Sequence, residues 1–199
     1  MQKIVLATRN EHKRIELERI LISYGIDCHL MSVSDFPDAP EVEETENTFE
    51  GNALLKARAL ATHTDLPAIA DDSGLCVDAL DGNPGVLSAR WSGATIDIDQ
   101  ANLNLVLDQM TEIPDGKRSA RFICAAVYVE PTGQELVVRG TLEGSLTREA
   151  QGTHGFGYDP IFIANGQTLT NAQLSPDEKD AISHRGQALR QLVELLPKH

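Results

Sequence analysis

The sequence predicts a mixed α/β protein, a β-sheet flanked by helices, in two lobes with a central cleft between them. Three observations carry that expectation. Amphipathic helical segments alternate with short apolar runs through the first half of the chain, and longer β-rich segments dominate the middle. No repeat and no low-complexity linker interrupts the 199 residues. Residues 1–199 therefore read as one domain carrying two lobes.

Taken in order, Ile4, Val5, Leu6 and Ala7 form a short apolar run suited to a buried strand. A polar turn leads into a helix with Leu17, Ile20, Leu21 and Tyr24 on one face, stopped by Gly25. Residues 26–33 fit a second strand, and residues 37–48 form a strongly acidic loop. The next helix aligns Phe49, Ala53, Ala57 and Leu60 on one face. Residues 66–70 suit another buried strand, ending at Asp71, Asp72, Ser73 and Gly74. Gly82, Asn83, Pro84 and Gly85 form a turn, and residues 98–110 an amphipathic helix that Asp97 caps. Residues 119–129 and 135–139 are β-rich and joined through Pro131, Thr132, Gly133 and Gln134 as a hairpin. Ser175, Pro176 and Glu178 supply an N-cap, a proline at the first helical position and a capping-box acid. A last helix carries Leu189, Leu192, Val193 and Leu196 and stops before Pro197.

An apolar fraction of 41% and a charged fraction of 24% are those of an ordinary globular chain. The N-terminus lacks the apolar region of a signal peptide, and no apolar run approaches the roughly 20 residues of a membrane span. Cys28, Cys76 and Cys124 lie far apart in apolar stretches and read as buried thiols in a reducing, cytoplasmic setting. Seventeen basic against 30 acidic residues give a net charge of −13. That balance argues against a nucleic-acid polymer as partner, but not against a phosphorylated small molecule.

Four groups of residues carry possible chemistry. Thr8, Arg9, Asn10, Glu11, His12 and Lys13 stand between the first strand and the first helix. A helix N-terminus offers N–H groups to an anion, and Lys13 adds a cation one turn in. The same residues also suit a plain capped helix, and no Gly-rich P-loop occurs in the chain. Glu41, Glu43, Glu44 and Glu46, with Asp71 and Asp72, offer the oxygen ligands that Mg²⁺ takes. Most of the loop glutamates suit a solvated surface, whereas paired acids after an apolar strand need compensation. Gly155, Phe156, Gly157, Tyr158 and Asp159 combine close backbone approach, a stacking face and a carboxylate; a tight structural turn would look the same. Lys179, His184 and Arg185 suit phosphate or base recognition, and equally suit charges at helix ends.

In their order these segments resemble the inosine triphosphate pyrophosphatase family, in its bacterial dITP/XTP pyrophosphatase branch. The match covers LATRNEHK, EETENTFEGNALLKA, PAIADDSGL, PGVLSARWSG, GFGYDPIF and EKDAISHRGQAL, and runs from Lys3 almost to the last residue. The resemblance implies an elongated mixed sheet, a homodimer, Mg²⁺ dependence and hydrolysis of purine nucleoside triphosphates such as ITP, dITP and XTP to monophosphate and pyrophosphate. It further implies that Asp72 is the catalytic acid and, with Glu43, a metal ligand. Thr8 to Lys13 become the triphosphate-binding stretch, with Ser73 beside the phosphates. Phe156, Gly157, Tyr158 and Asp159 become the base-recognition segment, and Lys179, His184 and Arg185 grip the base edge and sugar-phosphate end. Arg9 stands where many relatives carry a small residue, and Glu46 replaces the glycine usual after the acid pair; whether Glu43 or Glu44 reaches the metal stays open. A pyrophosphatase for modified pyrimidine nucleotides and a non-catalytic nucleotide sensor are the alternatives. The intact Asp71 and Asp72 speak against the sensor.

Overall fold

The chain begins with a five-residue strand, β1 (Gln2–Leu6), whose Ile4, Val5 and Leu6 are buried. It belongs to a computed structural model that describes residues 2–25 and 28–196. Helix α1 (Glu11–Ser23) follows, because Asn10 accepts a hydrogen bond from the Lys13 N–H at 3.1 Å and so caps the first turn. Leu17, Ile20 and Leu21 are buried as the periodicity requires, each contributing about 1.5–3 kcal/mol of apolar burial. Tyr24, expected on the same face, is instead 43% exposed, because it lies past the last helical turn, where its hydroxyl accepts from Arg190. Strand β2 (Cys28–Ser32) pairs in parallel with β1. Its expected start at Ile26 and Asp27, the side chain of Cys28, and Pro197 lie outside the described residues.

Residues 36–48 contain no helix or strand, as their acidic composition suggested. Thr48 then caps α2 (Phe49–Thr64), which buries Phe49, Ala53, Ala57 and Leu60, and also Asn52. The next strand corrects the sequence reading. β3 (Ala68–Val77) does not end at the acids but runs straight through Asp71 and Asp72 to Leu75, Cys76 and Val77. Carboxylates interrupt an apolar pattern and so look like a terminus, yet cations from elsewhere in the chain neutralise them and the strand continues.

Helix α3 (Ile98–Gln109) forms as expected, but Asp97 does not cap it with its side chain. Asp97 sits in the left-handed region (φ 47°), which leaves its carboxylate without a cap hydrogen bond. β4 (Ser119–Val129) has the expected bounds, while β5 (Glu135–Leu146) runs well beyond Arg139 and pairs antiparallel with β6 (Phe162–Ala164). Ser175 and Glu178 form the expected capping box of α4 (Pro176–Ile182), and α5 (His184–Leu195) closes the chain.

The six strands form one mixed sheet in the order β2-β1-β3-β4-β5-β6, with β1 parallel to both β2 and β3. The chain comprises two compact units. The first contains Met1–Asp72, Cys124–Gly140 and Arg185–His199, and the second Ser73–Ile123 and Thr141–His184. In the first unit the core joins Ile4 and Leu6 of β1, Leu17 and Leu21 of α1, Ile69 of β3, Tyr128 of β4, and Leu189 and Leu192 of α5. In the second it joins Leu75 and Val77 of β3, Leu103, Val106 and Met110 of α3, Phe122, Leu142, Ile161 and Phe162. Among the described residues no helix is long and apolar enough to cross a membrane.

Candidate active site

In the first unit, Asp71 and Asp72 are 1% and 5% exposed, so each carboxylate depends on what faces it. Alternation along β3 sends the two side chains to opposite faces of the strand. The Oδ2 of Asp71 receives Nε and Nη2 of Arg185, both at 3.3 Å, and the Lys13 ammonium at 3.3 Å. Burial alone would raise the Asp71 carboxyl, but Lys13, Arg185 and Lys56 outweigh it and hold the group well below the usual carboxylate range. Arg185, 2% exposed, also donates through Nη1 to Glu16 of α1. The same burial pushes the Cys124 thiol, 3.9 Å from Asp71, up to about 12.

Asp72 has different neighbours. Its Oδ2 accepts from the Asn52 amide at 3.3 Å, and its Oδ1 lies 3.5 Å from the Lys56 ammonium. Asn52 and Lys56 stand four residues apart and so share one face of α2. Lys56 also pairs with Glu44 of the acidic loop at 2.9 Å, and the Asn52 Oδ1 accepts from the Glu46 N–H at 2.9 Å. The loop meets the helix closely at this point: a Cβ on Gly51 would stand 2.7 Å from the Cβ of Glu46. Burial raises the Asp72 carboxyl above its ordinary value, and Lys56 and Lys13 offset this only in part. Burial likewise works against the Lys56 ammonium, but the carboxylates of Asp72, Asp71 and Glu44 overcome it and raise its pKa. Two adjacent acids of one strand are thereby driven in opposite directions, a pattern common where proton transfer is needed.

Among the described residues no group of three or more His, Cys, Asp or Glu side chains forms a ready-made metal cluster. The donors present still fit a hard divalent ion. Carboxylates of Glu44 and Asp72 converge on one cation, the Lys56 ammonium, at 2.9 and 3.5 Å. Mg²⁺ uses one or two protein carboxylates and completes its shell with water and phosphate oxygens. Glu43 is exposed beside Glu44.

The residues opening α1 are capped as a helix should be. Thr8 Oγ1 accepts from the Asn10 N–H at 3.2 Å, and Asn10 caps Lys13. Glu11 is held by Arg14 at 2.6 Å on the surface, and His12 is exposed. Arg9 reaches the carbonyl of Ala39 at 3.0 Å.

In the second unit, the GFGYDP segment is fixed by three anchors. Asp159 Oδ2 accepts from the Phe156 N–H at 3.1 Å and pairs with Lys179 at 2.6 Å, while its Oδ1 accepts from Asn171 at 3.2 Å. The Tyr158 hydroxyl donates to the Ser88 carbonyl at 2.8 Å, and the Gly157 N–H donates to Asp99 at 3.0 Å. Gly155 adopts φ +73°, and a side chain there would collide with the Asp159 carboxylate. The Lys179 ammonium sits 5.1 Å from the centre of the Phe156 ring. His184 stacks on Phe122, with ring centres 4.8 Å apart and planes 11° apart. Of the three basic residues grouped by sequence, Lys179 and His184 belong to this unit and Arg185 to the first. Ser73, half-buried in β3, is the second unit's first residue.

Sequence reasoning missed Asn52 and Lys56, although the i, i+4 spacing of an amide and an ammonium beside a fully apolar helix face was available as a signal. It also missed Glu16, which lies three residues beyond Lys13 on α1 and therefore on the same side of that helix.

The Ham1 family model matches residues 4–195, and the chain belongs to that family. Its relatives carry a narrower name. A dITP/XTP pyrophosphatase of Frankia alni is 54% identical over 198 residues, covering 98% of this chain and 96% of that protein. Among solved structures, a HAM1 protein from Coxiella burnetii superposes with a TM-score of 0.88 at 42% identity, with 98% of both chains covered. A nucleoside-triphosphatase described as a dITP/XTP pyrophosphatase, from Mycobacterium abscessus, gives 0.77 at 52% identity, again over 98% of both chains.

Proposed function

We propose that the protein is a pyrophosphatase that hydrolyses deaminated purine nucleoside triphosphates (ITP, dITP and XTP) to the monophosphate and pyrophosphate, cleansing the nucleotide pool. The observation that carries this reading is the Asp71 and Asp72 pair. One carboxylate is locked in its charged form by Arg185 and Lys13, and the other is raised by burial and turned toward Asn52, Lys56 and Glu44. The names of relatives about half identical in sequence over nearly the whole chain support the same substrate class.

In this mechanism the N–H groups opening α1, with Thr8, Asn10 and Lys13, hold phosphate oxygens. Asp72 accepts a proton from the attacking water, for which a raised carboxyl is better suited than a fully stabilised carboxylate. Asn52 and Lys56 keep the Asp72 carboxylate in place while it does so. Asp72 with Glu44 or Glu43 would hold Mg²⁺, which would supply positive charge to offset that of the phosphates. The shared Lys56 favours Glu44 over its exposed neighbour Glu43. In the second unit Phe156 offers a stacking face, and Lys179 and His184 are donors to the oxo groups of hypoxanthine and xanthine. Adenine carries an amino group at that position and leaves such donors unpaired.

The proposal also includes a homodimer in the cytoplasm. Exposed Leu87, Ile96 and Ile98 of the second unit are apolar surface that a second copy can bury, and Cys124 is a buried free thiol suited to a reducing compartment. The net charge of −13 speaks against a nucleic-acid polymer. The deciding experiment incubates the protein with Mg²⁺ and ITP, XTP, dITP, GTP, ATP and dUTP, and measures pyrophosphate and monophosphate. Preference for ATP or dUTP, or release of orthophosphate alone, would refute the proposal.

A further inference from the structure

Arg9 lies in the turn between β1 and α1, where a phosphate-binding role would leave its guanidinium directed at the substrate. Its observed contact is elsewhere. Nη2 donates to the carbonyl oxygen of Ala39 at 3.0 Å, across a large separation in sequence. Ala39 is 8% exposed, and its own N–H donates to the Phe36 carbonyl at 2.9 Å, so its carbonyl belongs to an ordered turn. Immediately after it the chain enters the irregular stretch carrying Glu41, Glu43, Glu44 and Glu46.

The far end of that stretch is tied to α2 twice, through Lys56 to Glu44 at 2.9 Å and through Asn52 to the Glu46 N–H at 2.9 Å. The near end has weaker support: the pair between His63 and Asp38 spans 3.5 Å, and Asp38 is 83% exposed. Exposed pairs of that kind contribute little. A guanidinium, by contrast, is charged at every working pH and presents a planar fork of donors. A loop held at one end only leaves its carboxylates free to swing, since each unfixed backbone residue keeps conformational entropy.

We infer that Arg9 is a positioning residue, which ties the acidic loop to the turn opening α1 and so sets where Glu44 stands relative to Asp72. It contributes no direct charge to the phosphates. The activity part of this inference rests on the proposed hydrolase function, whereas the structural part does not.

The test uses Arg9→Ala in the full chain. Without substrate or metal, the protein is exposed briefly to a glutamate-specific protease, and fragments cut at positions 41 to 46 are quantified by mass spectrometry. Loss of one solvent-facing hydrogen bond is expected to speed cleavage there by about two- to tenfold, with cleavage elsewhere and the thermal midpoint unchanged. The Mg²⁺ concentration giving half-maximal turnover should rise by a similar factor, while KM for ITP at saturating Mg²⁺ stays as in the parent. Unchanged loop cleavage overturns the inference whatever the activity does. A raised KM for ITP at saturating Mg²⁺ also overturns it, by making Arg9 a phosphate ligand. A parent protein inactive on every triphosphate would sink the function proposed above and leave the cleavage result to decide the role of Arg9.

Discussion

Arg185→Ala is expected to cost stability first and base selectivity only second. Arg185 is 2% exposed and supports two other buried groups, Asp71 at 1% and Glu16 at 8%. Its Nε and Nη2 both lie 3.3 Å from Asp71 Oδ2, and its Nη1 donates to Glu16. Truncation leaves Glu16 without this charge partner and leaves Asp71 with Lys13, 3.3 Å away and itself on the side of the proposed phosphate site. Breaking a buried ion pair by deleting one partner costs about 3–5 kcal/mol. At this chain length that lowers the thermal midpoint by about 6–20 °C. The pH dependence has a definite sign. The folded Asp71 carboxyl lies below its unfolded value, so its stabilising contribution is full above the ordinary carboxylate range and fades as pH falls. The gap between parent and variant should therefore be widest near about pH 7.5 and smaller near about pH 3, because the contribution is lost only as pH falls below the unfolded carboxyl value toward the folded one. Calorimetry at both pH values measures this, with kcat/KM for ITP, XTP and ATP determined in parallel. Adding Glu16→Gln to Arg185→Ala should recover part of the loss, because the two sites are coupled. A midpoint within about 2 °C of the parent, with a collapsed ITP to ATP ratio, would show that Arg185 serves the base and that its buried contacts matter little.

Three further outcomes follow from the same geometry. Asp72→Asn keeps the shape beside Asn52 but removes charge and basicity, so turnover should fall about a hundredfold or more with the fold intact; near-normal turnover at saturating Mg²⁺ would remove Asp72 from the mechanism. Glu44→Gln should weaken Mg²⁺ activation far more than Glu43→Gln, because Glu44 is the one that shares Lys56 with Asp72; the reverse order in a Mg²⁺ titration would assign the ligand to Glu43. Lys56→Met removes the cation that lowers Asp72, so the acidic limb of the pH–kcat/KM profile should move to higher pH. The folded Asp72 carboxyl already lies above its unfolded value, so its contribution to stability is present at low pH and lost as pH rises through the folded value. The variant should accordingly lose more stability on the alkaline side, and an unmoved acidic limb would disconnect Lys56 from Asp72.

What could be read directly from the residues was local. Leu17, Ile20 and Leu21 of α1, the apolar face of α2, the bounds of β4 and the capping box at Ser175 each depend on neighbours within a few positions, and each formed as expected. The errors arose where a distant partner decides. β3 looked finished at Asp71 because a charged pair inside a strand is costly on its own, and the residues that remove the cost come from α1, α2 and α5. Asp97 stood in the right place to cap α3, but its left-handed backbone turned the carboxylate away from the helix end.

The functional residues divide along the same line. Motif order pointed to Asp72, Lys13, Phe156 and Asp159, yet it could not say that Asp159 spends its oxygens on Lys179, Asn171 and the Phe156 backbone. A carboxylate so occupied is better placed to hold the stacking ring and the lysine than to meet a base edge itself. The same holds for Arg185 against Asp71 and Glu16. Each proposed contact group is backed by a buried ion pair, Asp159 with Lys179 in one unit and Arg185 with Asp71 in the other. Each pair fixes a side chain that touches substrate in the proposed mechanism: Phe156 stands on the first, and the Asp71 and Lys13 pairing beside Asp72 on the second. Rigid placement of this kind lets charge be stabilised in the reaction without reorganising the protein at that moment. It also explains why substitutions at these pairs should act on folding and on rate together, whereas changes at exposed Glu43 or His12 should act on neither or on rate alone.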